Sequence, residues 1–333
     1  MAPRLLSPGI YCPIPSFFLP ETEDLDLPSF EKHVLRVAQA GVGPLLAGSN
    51  GEAIHLAHDE RTTLVRTARR VLDGNGLADV PLIVGTGAGS TRETVQLCRA
   101  AADAGADYAI VITPGYFAGA IAQDREALKA FYREVAKKSP VPILLYNYPG
   151  ASGGIDLDSE LITELASEDT NIVGVKLTCG NVGKLTRICT TVSDQSYTSK
   201  YPRRTATQEF LVLGGYTDFV LPSIYARGHG AITGLANVAP HSIKKLYDLS
   251  VESLANPSVL PEAQRLQGII ARGDFTLANS GVSGTKAVLQ RLYGYGGCPR
   301  RPLPPISSEA AEAVWHHPHI KELVALERQI SGQ

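Results

Sequence analysis

Ile172-Val-Gly-Val-Lys-Leu-Thr-Cys-Gly180 is the stretch around which the chain is organised. A run of apolar β-formers reaches Lys176, and Gly180-Asn181 then opens a helical pattern. Lysine is depleted from strand interiors and is almost never fully buried without a partner. At a strand end, between Val175 and Leu177, Lys176 has two readings. It is a lysine that rests its stem on apolar surface and meets water or a carboxylate. Alternatively it is a desolvated amine, which loses its charge readily and then attacks carbonyl carbon. The surrounding pattern has to choose between them.

From residue 9 to about 235, short apolar runs alternate with helical patterns. The strand-like runs are Ile10–Phe18 (interrupted by Pro13 and Pro15), Gly43–Ala47, Pro81–Thr86, Tyr108–Pro114, Val141–Asn147, the Lys176 stretch, Phe210–Gly214 and Gly230–Gly234. Ser29, Asp59, Ser90, Asp124 and Asp158 are placed to open helices, Gly41 to close the first, and Val182–Val192 to follow Lys176. Ser193–Thr207 has no apolar periodicity and is expected to be an elongated loop.

Continuous apolar strands alternating with helices predict a parallel sheet covered on both faces. Eight such units in about 230 residues predict an α/β chain of the (β/α)8 TIM-barrel class. A doubly wound sheet would place Gly-x-Gly-x-x-Gly after its first strand. This chain has none there, and Gly85-Thr-Gly-Ala-Gly89 has the wrong spacing and reads as a turn. After residue 236 the pattern is helical only, in Ala239–Leu254, Pro261–Ala271, Val282–Leu292 and Ser307–Glu327, with an extended Pro-rich connector at Cys298–Pro305. The expected organisation is a barrel over 1–236 and a helical appendage over 237–333 packed on it.

Composition narrows the function. Lys+Arg 31 against Asp+Glu 33 leaves no basic field for nucleic acid. No apolar run approaches the roughly 18 residues of a membrane span. Met1–Pro8 lacks the apolar core of a signal peptide and the Arg/Ser pattern of a transit peptide. Five scattered cysteines without Cys-x-x-Cys suggest neither a disulfide framework nor a zinc site. The expectation is a reduced, cytoplasmic protein.

In such a barrel, chemistry sits in the loops after the strands. Those positions hold Ser49, Asn50, Thr113, Tyr116, Tyr146, Lys176 and Thr178. This is one amine, two phenols and neutral hydrogen-bonding groups, with no His/carboxylate cluster to hold a metal. His55 and His58 are three apart but lack a third ligand. Gly48-Ser-Asn-Gly-Glu52 lacks the Gly-Lys-Ser/Thr ending of a phosphate loop. It is either an ordinary βα turn or a Gly-flanked cradle for a carboxylate. Tyr146 is either a buried tyrosine with a satisfied hydroxyl or a phenol that shuttles protons beside an amine. Lys184, in a polar helix, reads as a solvated amine that keeps its proton.

Gly48-Ser-Asn-Gly-Glu52, Tyr146-Asn-x-Pro149 and Gly174-Val-Lys176, in that order and each at a strand end, resemble the dihydrodipicolinate synthase/N-acetylneuraminate lyase family of class I aldolases. The resemblance covers roughly residues 9 to 330. The fungal-type members that act as 4-hydroxy-2-oxoglutarate or 2-keto-3-deoxy-acid aldolases are nearest in pattern, through Ser49-Asn50 and Lys176-Leu-Thr178. It implies that Lys176 forms a Schiff base with a 2-oxo acid, that Tyr146 transfers protons, and that Ser49 and Asn50 hold the substrate carboxylate. Tyr116 matches a tyrosine lent across a tight dimer interface, Thr178 a position facing the variable part of the substrate, and Gly215 and Ile232 backbone positions lining the pocket. The family needs no metal or organic cofactor, takes a small-molecule 2-oxo acid and assembles as a homodimer or homotetramer.

Two departures bear on the substrate. Synthases of the family place an arginine shortly after Tyr-Asn-x-Pro, whereas Gly150–Ile155 holds none, and Ser193–Thr207 is longer than usual. The expected activity is therefore cleavage of a 2-keto-3-deoxy or 4-hydroxy-2-oxo acid into pyruvate and an aldehyde. Arg203 or Arg204 could serve a distal carboxylate. The alternatives are a pyruvate-condensing synthase and a catalytically silent barrel that binds a 2-oxo acid.

Overall fold

In a computed structural model, which describes residues 4–205 and 207–332, eight strands close into a barrel in chain order. They are β1 (Gly9–Pro13), β2 (Gly43–Leu46), β3 (Ile83–Gly85), β4 (Tyr108–Ile112), β5 (Ile143–Asn147), β6 (Ile172–Leu177), β7 (Leu211–Gly214) and β8 (Gly230–Ile232). This is the (β/α)8 TIM barrel that the alternation predicts. Of the segments read above, Met1 to Pro3 of the N-terminus, Ala206 of the polar segment and Gln333 lie outside the described residues.

The chain divides into two compact units. One holds the segment ending at Pro8 together with Pro81–Gly215 and Pro222–Ala231. Its strands run parallel in tight register, Ile83 beside Tyr108, Ile110 beside Leu144, Tyr146 beside Lys176, and Lys176 beside Leu213. Side chains alternate between the two faces of a strand. Val175 and Leu177 therefore share one face of β6, and Gly174 and Lys176 the other. All six residues of β6 are buried. Helices Thr91–Ala104, Arg125–Lys138 and Ser159–Glu168 begin at Ser90, Asp124 and Asp158, whose side chains accept from the backbone N–H three residues on.

The second unit holds Gly9–Val80, Tyr216–Leu221 and the segment from Ile232 onward. β1 and β2 pair through Tyr11 and Gly43, where a Cβ on Gly43 would lie 2.5 Å from the Tyr11 ring. Helix Leu260–Asn279 grips the segment 217–221 with two side chains. Asp274 accepts from the Thr217 backbone N–H at 2.6 Å and its hydroxyl at 2.7 Å. Gln267 accepts from Leu221 N–H at 2.8 Å and donates to the Thr217 carbonyl at 2.8 Å.

Several boundaries differ from the sequence reading. The first helix, Leu27–Gln39, is capped by Asp26 and not by Ser29, whose N–H and hydroxyl both donate to the Asp26 carboxylate. Pro28 explains the shift, because proline fits the first turn, where its missing N–H has no intrahelical partner to lose. The second helix opens at His58, one residue before Asp59. Ser193–Thr207 is not wholly a loop, since Gln195–Lys200 is helical on an Asp194 cap. Ser307–Glu327 breaks into Ser308–His316 and Pro318–Ser331, because Pro318 drives His317 into extended backbone.

Burial raises the Asp274 carboxyl to about 6, with the Asp218 charge adding to the rise and the Thr217 bonds opposing it. A carboxyl whose folded-state value is raised contributes stability that is full below its unfolded value, near 3.8, and lost as pH rises through about 6. A shift of this size corresponds to roughly 3 kcal/mol. Asp274→Asn keeps an acceptor for Thr217 without the titration. We expect its unfolding free energy to fall less between pH 4 and pH 7 than that of the unaltered protein. Urea unfolding at several pH values checks this, and parallel curves for the two proteins would refute it.

Candidate active site

Lys176 is the penultimate residue of β6, and its residue is 5% exposed. The parallel register sets Tyr146, penultimate in β5, directly beside it. The Lys176 Nζ lies 4.3 Å from the centroid of the Tyr146 ring, and Tyr148 stacks with that ring at 5.8 Å and 23°. Burial raises the Tyr148 phenol above its ordinary value, with Tyr146 adding to the effect.

Four described lysines are buried, Lys129, Lys176, Lys184 and Lys286. Three meet carboxylates, Lys129 through Glu164, Lys184 through Asp156 and Lys286 through Glu52. Among the described residues no carboxylate pairs with Lys176. Buried charges are ordinarily paired because desolvation costs several kcal/mol per ion. Lys176 is the exception among these four. Lys184 also corrects the sequence reading, since it is buried on Asp156 and not solvated.

The loops after β5 and β6 are built around buried polar groups. Asn147 donates to Asp156 at 2.7 Å and accepts from Leu157 N–H at 2.9 Å, which ties down 148–157. The Asn147 carbonyl accepts from Thr178 N–H at 2.9 Å. Within these loops the Ser152 and Thr178 hydroxyls are buried and have no hydrogen-bond partner. Gly215 follows β7, and a Cβ there would lie 2.3 Å from the Thr178 hydroxyl oxygen. Glycine is required because any side chain would displace Thr178. Thr113 is engaged elsewhere, its hydroxyl 2.8 Å from the buried Tyr132 phenol, whose titration burial pushes upward.

Tyr116 stands apart. It is 90% exposed and meets Phe117, itself 70% exposed, edge to face. Beside them Gly89, Pro114, Ile121, Leu128 and Phe131 line a mostly apolar cavity of about 330 Å³. Arg203, offered above for a distal carboxylate, is buried and donates to the carbonyls of Asp169, Ile172 and Tyr201. Ile172 opens β6 and Lys176 lies near its close, so Arg203 serves the wrong end of the strand. Arg204 is tied beside it through its N–H to the Thr170 carbonyl.

Within the second unit, Ser49 and Asn50 occupy the turn after β2. Two non-glycine residues in left-handed backbone flank it, Ala47 at φ 48° and Glu52 at φ 52°. Such backbone persists only where its surroundings hold it, and it clusters at functional sites. The Asn50 amide lies where a Cβ on Gly234 would be, 2.6 Å away. Ile232 ends β8 and is wholly buried. His55, set aside above as a metal ligand, lies 3.3 Å from Glu52 through Nδ1. The Glu52 and Lys286 side chains are the features the sequence reading missed. Glu52 is the last residue of the Gly-flanked turn, but nothing around Lys286 marks its partner.

The chain belongs to the dihydrodipicolinate synthetase family, whose model matches residues 19–319. It is 40% identical over 331 residues to an L-threo-3-deoxy-hexylosonate aldolase of Hypocrea jecorina, covering 99% of this chain and 100% of that protein. It is 42% identical over 334 residues to the Emericella nidulans protein named probable 4-hydroxy-2-oxoglutarate aldolase, mitochondrial, covering all of both. A crystal structure of a dihydrodipicolinate synthase family protein from Coccidioides immitis superposes with a TM-score of 0.80 at 33% identity, covering 99% of this chain and 100% of that one. The mitochondrial name overturns the cytoplasmic expectation. Cysteine usage reports a reducing environment and not an address, so it carried less than was read from it.

Proposed function

We propose that this protein is a lysine-dependent, class I aldolase that cleaves a 2-keto-3-deoxy or 4-hydroxy-2-oxo acid to pyruvate and an aldehyde. The observation that carries this reading is Lys176, buried at a strand end with no carboxylate and with its amine on the Tyr146 ring. A carbon–carbon lyase of this kind needs an electron sink at C2 of the substrate, and a lysine imine supplies it.

The Lys176 amine adds to the C2 carbonyl, and loss of water gives an iminium. Tyr146, directly or through a water, takes the proton from the C4 hydroxyl. The C3–C4 pair moves into the iminium, which releases the aldehyde and leaves an enamine. Protonation at C3 and hydrolysis return pyruvate and free Lys176. Ser49 and Asn50 hold the substrate carboxylate so that the reacting bond lies correctly. By the family resemblance, Gly215 and Ile232 each contribute backbone toward the substrate. Because the imine is the electron sink, the reaction requires no metal or organic cofactor.

The exposed Tyr116–Phe117 pair supports a homodimer or homotetramer in which Tyr116 acts across the interface. Exposed aromatics beside an apolar cavity are characteristic of surfaces that take a partner. The relative's name supports a mitochondrial setting. A pyruvate-condensing synthase is the second reading, and the residues between Tyr148 and Glu160 weigh against it because they include no arginine. An anionic aldehyde partner would lack its bidentate holder there. The unpartnered Thr178 and Ser152 hydroxyls suit a hydroxylated fragment instead.

Four outcomes are expected. Borohydride reduction with pyruvate should leave an adduct on Lys176 by mass spectrometry, and an adduct that survives Lys176→Ala would sink the mechanism. Tyr146→Phe should keep that adduct while turnover falls on the order of 10²-fold, the usual loss for a proton-transfer group. In parallel assays, kcat/KM should be higher for 2-keto-3-deoxy sugar acids than for condensation of pyruvate with aspartate semialdehyde; the reverse order would move the protein to the synthase side of the family. Sedimentation should find an oligomer that Tyr116→Ser loosens, and a fully active monomer would remove the cross-subunit role.

A further inference from the structure

The Glu52–Lys286 pair is the most completely buried ion pair described, with both side chains at 0% exposure. Lys286 lies on helix Gly281–Tyr293, and its Nζ reaches Glu52 Oε1 at 2.6 Å and the Cys298 carbonyl at 3.0 Å. The Nζ also lies 4.7 Å from the centroid of the Phe18 ring. The other carboxylate oxygen, Oε2, accepts from Arg300 N–H at 2.8 Å and lies 3.3 Å from His55 Nδ1. Glu52 therefore cannot rotate, and its left-handed backbone is fixed from the side chain inward.

That backbone closes the turn carrying Ser49 and Asn50. Glu52 N–H donates to the Ser49 carbonyl at 3.1 Å, and Ala53 N–H to the Gly48 carbonyl at 3.2 Å. Ser16 holds the Gly51 carbonyl at 2.7 Å. An apolar pair could fill the same space, and buried ion pairs often stabilise no better than such replacements. What the ion pair adds is direction. It ties one carboxylate to fixed donors, and so sets the angle at which a strained turn leaves the strand.

We propose that Lys286 is a positioning residue for substrate-carboxylate binding. Through Glu52 it holds Ser49 and Asn50 at the spacing that a 2-oxo-acid carboxylate requires. This rests on the aldolase reading, and the test separates the two. Borohydride trapping on Lys176 is titrated with pyruvate and with methyl pyruvate, which has no free carboxylate. In Lys286→Met the half-saturating pyruvate concentration should rise about tenfold or more, while that for methyl pyruvate stays within about twofold, as expected when a carboxylate contact is lost and the imine chemistry is not. If the unaltered protein forms no adduct, the aldolase reading fails. If it does and the variant shifts both ligands equally, or neither, the positioning role is overturned. Should Lys286→Met not fold because Glu52 is left unpaired, the charge-free Glu52→Gln/Lys286→Met variant replaces it, with the same selective loss expected. A double variant that also fails to fold makes the pair a general prop of the fold and overturns the proposal.

Discussion

The parallel pairing of β5 with β6 is the constraint on which the candidate chemistry depends. In a parallel ladder, residues paired in register present their side chains on the same face, so pairing Tyr146 with Lys176 puts phenol and amine together without any loop having to find its place. A slip of one residue between the strands would turn Lys176 to the face opposite Tyr146. The register is protected by its surroundings, because Val111, Leu145, Val175 and Val212 are essentially inaccessible to solvent. A shift would move these apolar residues out of the layer they fill. The site inherits its precision from the barrel's core packing.

A buried amine with no carboxylate is a cost, and the neighbouring structure shows how easily it could have been relieved. Lys129, Lys184 and Lys286 each have an acidic partner. The Lys176 amine lies instead against the face of the Tyr146 ring. No such partner meets Lys176 among the described residues. The absent ion pair, the strained turn at Ala47 and Glu52, and the orphaned hydroxyls all depart from what stability alone would choose, and such departures mark function.

The barrel was legible because its strands are continuous apolar runs and because Ser90, Asp124 and Asp158 announce their helices in a single residue. The adjacency of Tyr146 and Lys176 was legible for a related reason, since both stand near the ends of consecutive apolar strands. What escaped the sequence depends on partners distant along the chain. Lys286 meets Glu52 across 234 positions, and neither local pattern points to the other. Arg203 looked available because its loop is polar, but backbone carbonyls at the start of β6 absorb its donors. The short helix Gln195–Lys200 has too few residues to show a period, and only its Asp194 cap could have betrayed it.

The same reasoning bears on substrate choice. A buried hydroxyl without a partner costs about 1–3 kcal/mol relative to a satisfied one. Ser152 and Thr178 both carry that cost, in the loops that follow Tyr146 and Lys176. Alanine or valine would avoid it. A polar ligand group that reached either hydroxyl would satisfy it, whereas an apolar fragment would leave it bare. Sites built to pair a substrate hydroxyl discriminate strongly against analogues lacking it, because the site's own polar groups are then stranded. With Arg203 committed elsewhere and no arginine between Tyr148 and Glu160, neither segment supplies a guanidinium to a ligand. A second carboxylate therefore lacks a bidentate guanidinium among these residues, which favours a hydroxylated aldehyde fragment.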